Sequence, residues 1–158
     1  MGKYKYSKGV SLIEVLVAVI VLAFGLLGLA GLQSVSLRNN NSAMMRTQAT
    51  YLAQDIVDRM RSNRLEAVGN VDTNNENYDI AIGSTTPAGG ANALTQADLT
   101  SWKTTLLASL PAGDGAIDCA SLFDPGTGPG TGVCTVTIQW DDSRGAQAAQ
   151  QFVTSTQL

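Results

Sequence analysis

The feature that most constrains this chain is an apolar run near its N-terminus. The eighteen residues from Val15 to Leu32 contain no charged or amide side chain. As an α-helix they extend about 27 Å at about 1.5 Å per residue, and with Val10–Ile13 added they match a hydrocarbon core about 30 Å thick. Three lysines precede the run, whereas only Arg38 lies in the first eight residues after it. This asymmetry predicts a single-pass membrane helix with a cytoplasmic N-terminus.

One carboxylate, Glu14, directly precedes the apolar run and lies five residues after Gly9. An ionised side chain in a membrane segment is costly, so Glu14 is a candidate functional residue. A plain membrane anchor would explain the apolar run but neither Gly9 nor Glu14. A cleaved secretory signal could use the small residues at Gly28-Leu29-Ala30, although its apolar part is usually about 7–15 residues long and uncharged.

The composition argues against catalysis and against nucleic-acid binding. The chain has no histidine, the commonest general base and metal ligand, and it contains no recognisable catalytic constellation. Removing the three leader lysines leaves seven basic residues against thirteen acidic ones, a net charge of −6. Nucleic-acid binding would instead call for a basic patch. We therefore expect no enzyme activity, no cofactor, no metal site and no nucleic-acid partner.

The only two cysteines, Cys119 and Cys134, predict one disulfide if they lie outside the cytoplasm. Two buried free thiols are the alternative. The glycine-rich segment 124–132 lacks the Gly-Lys-Ser/Thr ending of a phosphate-binding loop, so we interpret it as a flexible tip between the cysteines.

The membrane helix is predicted to continue beyond the bilayer, to a total of more than fifty residues. No proline or glycine occurs between Leu32 and Arg64. Apolar residues recur there at steps of three and four, which predicts one buried stripe formed by Met45, Ala49, Leu52, Ile56 and Met60. The arginines of this region form either a solvated face or ion pairs within an assembly; they are Arg38, Arg46, Arg59, Arg61 and Arg64.

Three glycines, Gly25, Gly28 and Gly31, interrupt the apolar half of the helix at three-residue spacing. Membrane helices commonly tolerate glycine, which is one interpretation. The other is helix flexibility, since each glycine costs a helix up to about 1 kcal/mol relative to alanine.

The residues after the long helix predict a small head with mixed secondary structure. Residues 72–76 faintly resemble a calcium loop and are interpreted as a solvated turn. The predicted elements are a short strand at 78–82, a helix that begins with Thr95 as its N-cap and ends at Pro111, a strand at Val133–Trp140, a turn at 141–145 and a weaker strand at Gln151–Thr156.

The segment Gly9-Val10-Ser11-Leu12-Ile13-Glu14, followed by the apolar run, resembles the prepilin leader of type IV pilins and pseudopilins. The family usually has Phe where this chain has Val10. The resemblance implies that prepilin peptidase cleaves after Gly9 and methylates Val10. It also implies that Glu14 guides the subunit into a filament.

Further segments resemble the PilV-type minor pilins of type IVa pilus systems: 25–33, 58–64, 107–111 and 136–140. The implied fold is α+β, a type IV pilin-like long N-terminal helix packed on a small antiparallel sheet. The implied organisation is a leader at 1–9, a helix at 10–64 that spans the membrane at about 12–32, and a periplasmic globular head at 65–158.

The resemblance implies a minor pilin at or near the pilus tip that primes assembly and supports twitching motility and adhesion. Its implied partners are prepilin peptidase, other minor pilins, the major pilin, a large tip adhesin and the inner-membrane assembly platform. The subunit would lie in the inner membrane before assembly and in the cell-surface pilus afterwards. A minor pseudopilin of a type II secretion system is the alternative, since it shares the leader, the glutamate and the fold.

Overall fold

The computed structural model describes residue 9 and the ranges 11–68, 77–87, 91–120, 123–124, 128–129, 131–143 and 145–158. Its helices are α1 (Leu12–Ser62), α2 (Arg64–Ala67) and α3 (Ala93–Ser109). Its strands are β1 (Asp114–Cys119), β2 (Phe123–Asp124), β3 (Gly128–Pro129), β4 (Val133–Trp140) and β5 (Gln150–Gln157). The chain divides into two compact units, one that ends at Asn41 and one that comprises Ser42–Leu158.

The first unit consists, in its described part, of the N-terminal half of α1 and the residues just before it. Every described residue from Ser11 to Asn41 is exposed, including Leu12 at 90% and Phe24 at 71%. The helix is continuous from Leu12 through all three glycines, and at 51 residues it has the unusual length that the sequence predicts.

The second unit has one hydrophobic core formed by its helices and its sheet. Helix α1 contributes the predicted stripe, and α3 contributes Leu99, Trp102 and Leu106. The indole N–H of Trp102 donates to the backbone carbonyl of Leu52 at 2.9 Å, which fastens α3 to α1. The buried residues of α1 are Met45, Ala49, Ala53, Ile56, Val57 and Met60.

The main sheet is antiparallel and has the order β1–β4–β5. Strand β4 alternates as predicted, because Cys134, Val136, Ile138 and Trp140 are buried while the residues between them are half-buried. Strand β5 pairs with β4 over its whole length, which is slightly longer than the predicted strand. A long helix packed on a small antiparallel sheet is the α+β fold expected from the sequence, and this expectation is confirmed.

Two predictions for the head are wrong. Residues 78–82 do not form a strand, because only Ile80 makes a β-bridge, to Ile117. Thr95 is not the N-cap of α3. The cap is Asn92, whose side chain accepts a hydrogen bond from the N–H of Thr95 at 2.9 Å. Thr95 itself is fully buried in the first turn of the helix.

Strand β1 was not expected from the sequence. It pairs with β4 from Asp114 opposite Gln139 to Cys119 opposite Cys134. Within the glycine-rich segment, β2 and β3 form a small antiparallel pair. The predicted turn at 72–76 lies outside the described residues.

Candidate membrane and assembly segment

Helix α1 begins directly after Ser11. The backbone carbonyl of Ser11 accepts hydrogen bonds from the N–H groups of Glu14 at 3.0 Å and Val15 at 3.3 Å. Glu14 therefore lies in the first turn, where a negative charge interacts favourably with the helix dipole. Gly9 is exposed just before the helix, and Val10 lies outside the described residues.

Glu14 is the one acidic residue on an otherwise apolar helix surface. Val15, Ala18, Val19 and Leu22 lie beside its side chain and form a shallow apolar groove. Among the ion pairs and hydrogen bonds of the described residues, none involves the Glu14 carboxylate. A carboxylate placed in lipid requires a cation beside it. Among the described residues, no cationic group pairs with Glu14.

The three glycines of α1 have open space around them. A Cβ atom at Gly25, Gly28 or Gly31 would meet no atom within 4 Å apart from its own helix and chain neighbours. Nothing packed against the described helix therefore requires glycine at these positions. The predicted role in helix flexibility stays a prediction.

Helix α1 is long and apolar enough to cross a membrane, and no other helix in the described ranges meets that criterion. None of its most apolar eighteen-residue window is buried. Exposed leucine, valine and phenylalanine side chains along a whole helix require an apolar surrounding, which lipid or neighbouring helices provide.

The arginines near the end of α1 differ in their partners. Arg59 forms ion pairs with Asp55 at 2.9 Å and with Asp98 of α3 at 3.3 Å, and Arg61 pairs with Asp58 at 3.1 Å. The other three arginines of the helical region make no ion pair among the described residues. Arg59 and Arg61 therefore form their ion pairs within the chain itself, and the predicted pairing of arginines within an assembly stays a prediction.

Asp98 also accepts a hydrogen bond from the hydroxyl of Tyr78 at 2.7 Å. Burial, together with this bond to Asp98, raises the pKa of Tyr78 to about 12. The side-chain amide of Asn63 donates to the Tyr78 oxygen at 3.4 Å and to the hydroxyl of Thr95 at 3.3 Å. These bonds join the end of α1, the start of α3 and the segment between them, and the sequence contained no signal for them.

A second polar contact joins α3 to β1. The ammonium group of Lys103 lies 2.5 Å from Asp114 Oδ1 and donates to the carbonyl of Ala81 at 3.2 Å. Partial burial raises the pKa of Asp114, but the bonds from Lys103, Gly83 N–H and Gly115 N–H outweigh it. The pKa of Asp114 therefore lies below its ordinary value of 3.8.

The disulfide joins Cys119 and Cys134, which face each other across β1 and β4. Both cysteines are buried, at 5% and 0% exposure. The bond lies where the glycine-rich segment leaves β1 and returns to β4.

The two acidic residues of the predicted turn, Asp141 and Asp142, accept hydrogen bonds from the chain itself. Asp141 accepts from Ser143 N–H at 2.8 Å and from Gly145 N–H, and Asp142 accepts from the hydroxyl of Ser42 at 3.1 Å. Within the described ranges, no group of three or more potential metal ligands occurs.

Comparison with known proteins locates one similarity. Residues 4–30 match the model of the prokaryotic N-terminal methylation motif. No curated protein and no solved structure matches the chain. The match covers Gly9, Val10 and Glu14, and it implies processing by prepilin peptidase. Together with the exposed apolar helix and the α+β fold, it supports a membrane-anchored protein of the type IV pilin or pseudopilin kind.

Proposed function

We propose that this chain is a minor pilin, processed by prepilin peptidase and incorporated at or near the tip of a type IV pilus, where it primes assembly. The observation that carries the proposal is Glu14, which has no partner among the described residues, in the first turn of an exposed apolar helix within the methylation motif. The segments that resemble PilV-type minor pilins support the finer assignment.

The chemistry of this segment suggests how the subunit is held. Cleavage after Gly9 creates a new amine on Val10, four residues before Glu14. In lipid this amine is the nearest available cation for the carboxylate, either in the same subunit or in a neighbouring one. An ion pair between subunits would favour filament entry over dispersal in the membrane.

The function is tested in a deletion strain complemented with the wild-type chain or with Glu14→Ala. We expect deletion to lower surface piliation and twitching motility, and the wild-type chain to restore both. The Glu14→Ala chain should be cleaved and inserted but absent from sheared pili. Glu14→Asp, which keeps the charge, is the matched control. It should retain part of the incorporation into pili and part of the twitching motility.

The same strain distinguishes the alternative role in a type II secretion system. A minor pseudopilin would leave piliation normal and retain secreted proteins in the periplasm. Normal incorporation of Glu14→Ala into pili would contradict the proposed role of the carboxylate.

A further inference from the structure

One edge of the β1–β4–β5 sheet is closed. In an antiparallel ladder, every second residue of an outer strand directs its N–H and C=O groups away from the sheet. The three N–H groups that β1 directs outward have acceptors within the chain: Gly115 donates to Asp114 Oδ1 at 2.7 Å, Ile117 to the carbonyl of Ile80 at 2.9 Å, and Cys119 to Asp79 Oδ1 at 2.9 Å. Another strand could add at β1 only by displacing these bonds.

The other edge, formed by β5, is open. The N–H of Leu158 donates to the carbonyl of Gly132 at 3.0 Å, so by alternation the odd-numbered residues of β5 direct their N–H groups away from β4. Among the described residues, these N–H groups have no acceptor; they belong to Gln151, Val153, Ser155 and Gln157. Strand β5 also contains no proline, glycine or charged residue, which are common protections of a long edge. It is therefore a surface for strand addition.

The inner face of the sheet is also incompletely covered at this edge. The inward side chains of β4 are buried, whereas those of β5 are only half-buried; the latter are Gln150, Phe152, Thr154 and Thr156. Phe152 packs against the hydrophobic core and still keeps part of its surface exposed. A strand added beside β5 would continue this inner face and cover the adjoining side of α1.

That adjoining side of α1 is polar and carries two arginines. Arg46, Thr50 and Arg61 are separated by steps of four and eleven residues, which places them on one side of the helix, and all three are exposed. Arg61 identifies this side as the one next to β5, because its guanidinium donates to Thr156 Oγ1 at 3.2 Å. Arg61 also pairs with Asp58 at 3.1 Å, whereas Arg46 makes no ion pair among the described residues.

A second copy of this chain is not a suitable occupant of the β5 edge. Ser42, near the start of the packed part of α1, donates to Asp142, just beyond the end of β4 that pairs with the start of β5. Arg61, near the end of α1, contacts Thr156 near the end of β5, so β5 and α1 run in the same direction. Antiparallel pairing of two β5 edges would therefore point the two α1 helices in opposite directions. In either direction β5 has no carboxylate to offer Arg46.

We propose that β5 is the docking edge for an extended acidic segment of a different protein, which adds as a fourth strand and directs carboxylates towards Arg46. The outward backbone groups of β5 would bind the main chain of this segment, which is how strand addition gives affinity. Side chains at alternate positions would lie over the exposed part of Phe152 and beside Arg46, and this row gives specificity. The edge is separate from Glu14, so the two sites are tested independently.

The test is binding of a fluorescent peptide to the full-length chain in a non-ionic detergent. The probe is a peptide as long as β5, blocked at both ends, in which threonine and glutamate alternate so that one row of side chains is entirely acidic. The matched peptide has lysine in place of every glutamate. By fluorescence anisotropy, we expect the glutamate peptide to bind more tightly than the lysine peptide by about tenfold or more.

Two pairs of variants separate backbone pairing from charge. Val153→Pro removes an outward N–H without removing a bond to β4, as edge strands allow, and should weaken binding of the glutamate peptide by about tenfold or more. Val153→Thr keeps the N–H and should bind this peptide normally. Arg46→Gln should reduce the preference for the glutamate peptide over the lysine peptide, whereas Arg46→Lys should keep it.

Several results would overturn the proposal. They are no binding of the glutamate peptide, equal binding of the lysine peptide, or a glutamate preference that Arg46→Gln leaves unchanged. Undiminished binding to Val153→Pro would show that the peptide attaches through charge alone and not as a strand. If Val153→Pro does not fold, which its melting curve would reveal, the Arg46 variants and the two peptides still decide the outcome.

Discussion

At the scale of single residues, Gly115 is a point of close approach between β1 and α3. A Cβ atom there would overlap the indole ring of Trp102 and lie 2.9 Å from the side chain of Leu106. Trp102 is fully buried and its N–H is bonded to α1, so its ring cannot move aside without losing that bond. Packing therefore requires glycine at this position.

We predict that Gly115→Ala lowers the free energy of unfolding of the head by about 1–3 kcal/mol, the usual cost of overfilling a packed core. Thermal unfolding of the full chain in detergent should show a melting temperature several degrees lower. Gly28→Ala is the matched control, because open space surrounds Gly28 and the head should be unaffected. An unchanged melting temperature for Gly115→Ala would mean that α3 can shift to accommodate the methyl group.

Gly9 carries a separate prediction about processing. Mass analysis of the membrane-extracted protein should show a chain that begins at methylated Val10, since the peptidase site accepts only a very small residue before the cut. Gly9→Asp should leave the unprocessed precursor in the membrane. Gly2→Asp changes a glycine elsewhere in the leader and should be cleaved normally. A chain that begins near residue 31 would instead indicate an ordinary secretory signal.

At the scale of elements, the sequence predicted those whose pattern is local and missed those that depend on distant contacts. The stripe of α1 and the alternation of β4 are repeated signals, and both were correctly predicted. Strand β1 reads DGAIDC, in which only Ile117 has strong strand propensity. Its extended backbone is imposed by pairing with β4 and by the fit of Gly115 against Trp102.

The candidate site residues and the polar contacts of the head show the same difference between local and distant signals. Gly9 and Glu14 were recognisable from their spacing and from the apolar run. The interaction of Tyr78 with Asp98 was not, because twenty residues separate them and neither lies in a motif. The start of α3 was misplaced because Asn92 and Thr95 are both good capping residues, and buried contacts of Thr95 decide between them.

The contact between α3 and β1 predicts a pH dependence. Because the pKa of Asp114 is lowered in the folded state, its ion pair with Lys103 contributes stability above the unfolded pKa near 3.8 and loses it as the pH falls through the folded value. We expect Lys103→Met to lower the melting temperature near pH 7, and the difference from wild type to shrink as the pH falls below the ordinary pKa of 3.8.

Lys103→Arg keeps the positive charge and is the control for this titration. It should retain more of the stability near pH 7 than Lys103→Met. A difference between Lys103→Met and wild type that stays constant from pH 7 to pH 2 would show that packing of the lysine stem, and not its charge, supports the contact.

At the scale of the whole molecule, the hydrophobic core lies entirely within the unit Ser42–Leu158. The described part of the first unit contributes no buried residue. Among the described residues, the polar contacts that join α1, α3 and β1 also lie within the second unit.

We therefore predict that a fragment comprising residues 42–158 is soluble and unfolds cooperatively in the absence of detergent. A fragment that begins at residue 64 is the matched comparison. It lacks the α1 segment that supplies Met45, Ile56 and Met60 to the core and should not fold. The prediction is checked by circular dichroism during heating, and failure of the longer fragment to show a single transition would contradict it.

The disulfide between Cys119 and Cys134 has a consequence for how such chains can diverge. It ties β1 to β4 at the base of the segment between them, so the strands stay in register whatever that segment contains. Doubling the length of a flexible loop costs only about 0.6 kcal/mol. Insertions and substitutions between the cysteines therefore cost the fold little, and we expect natural variants of this chain to differ most in that segment while the head keeps its structure.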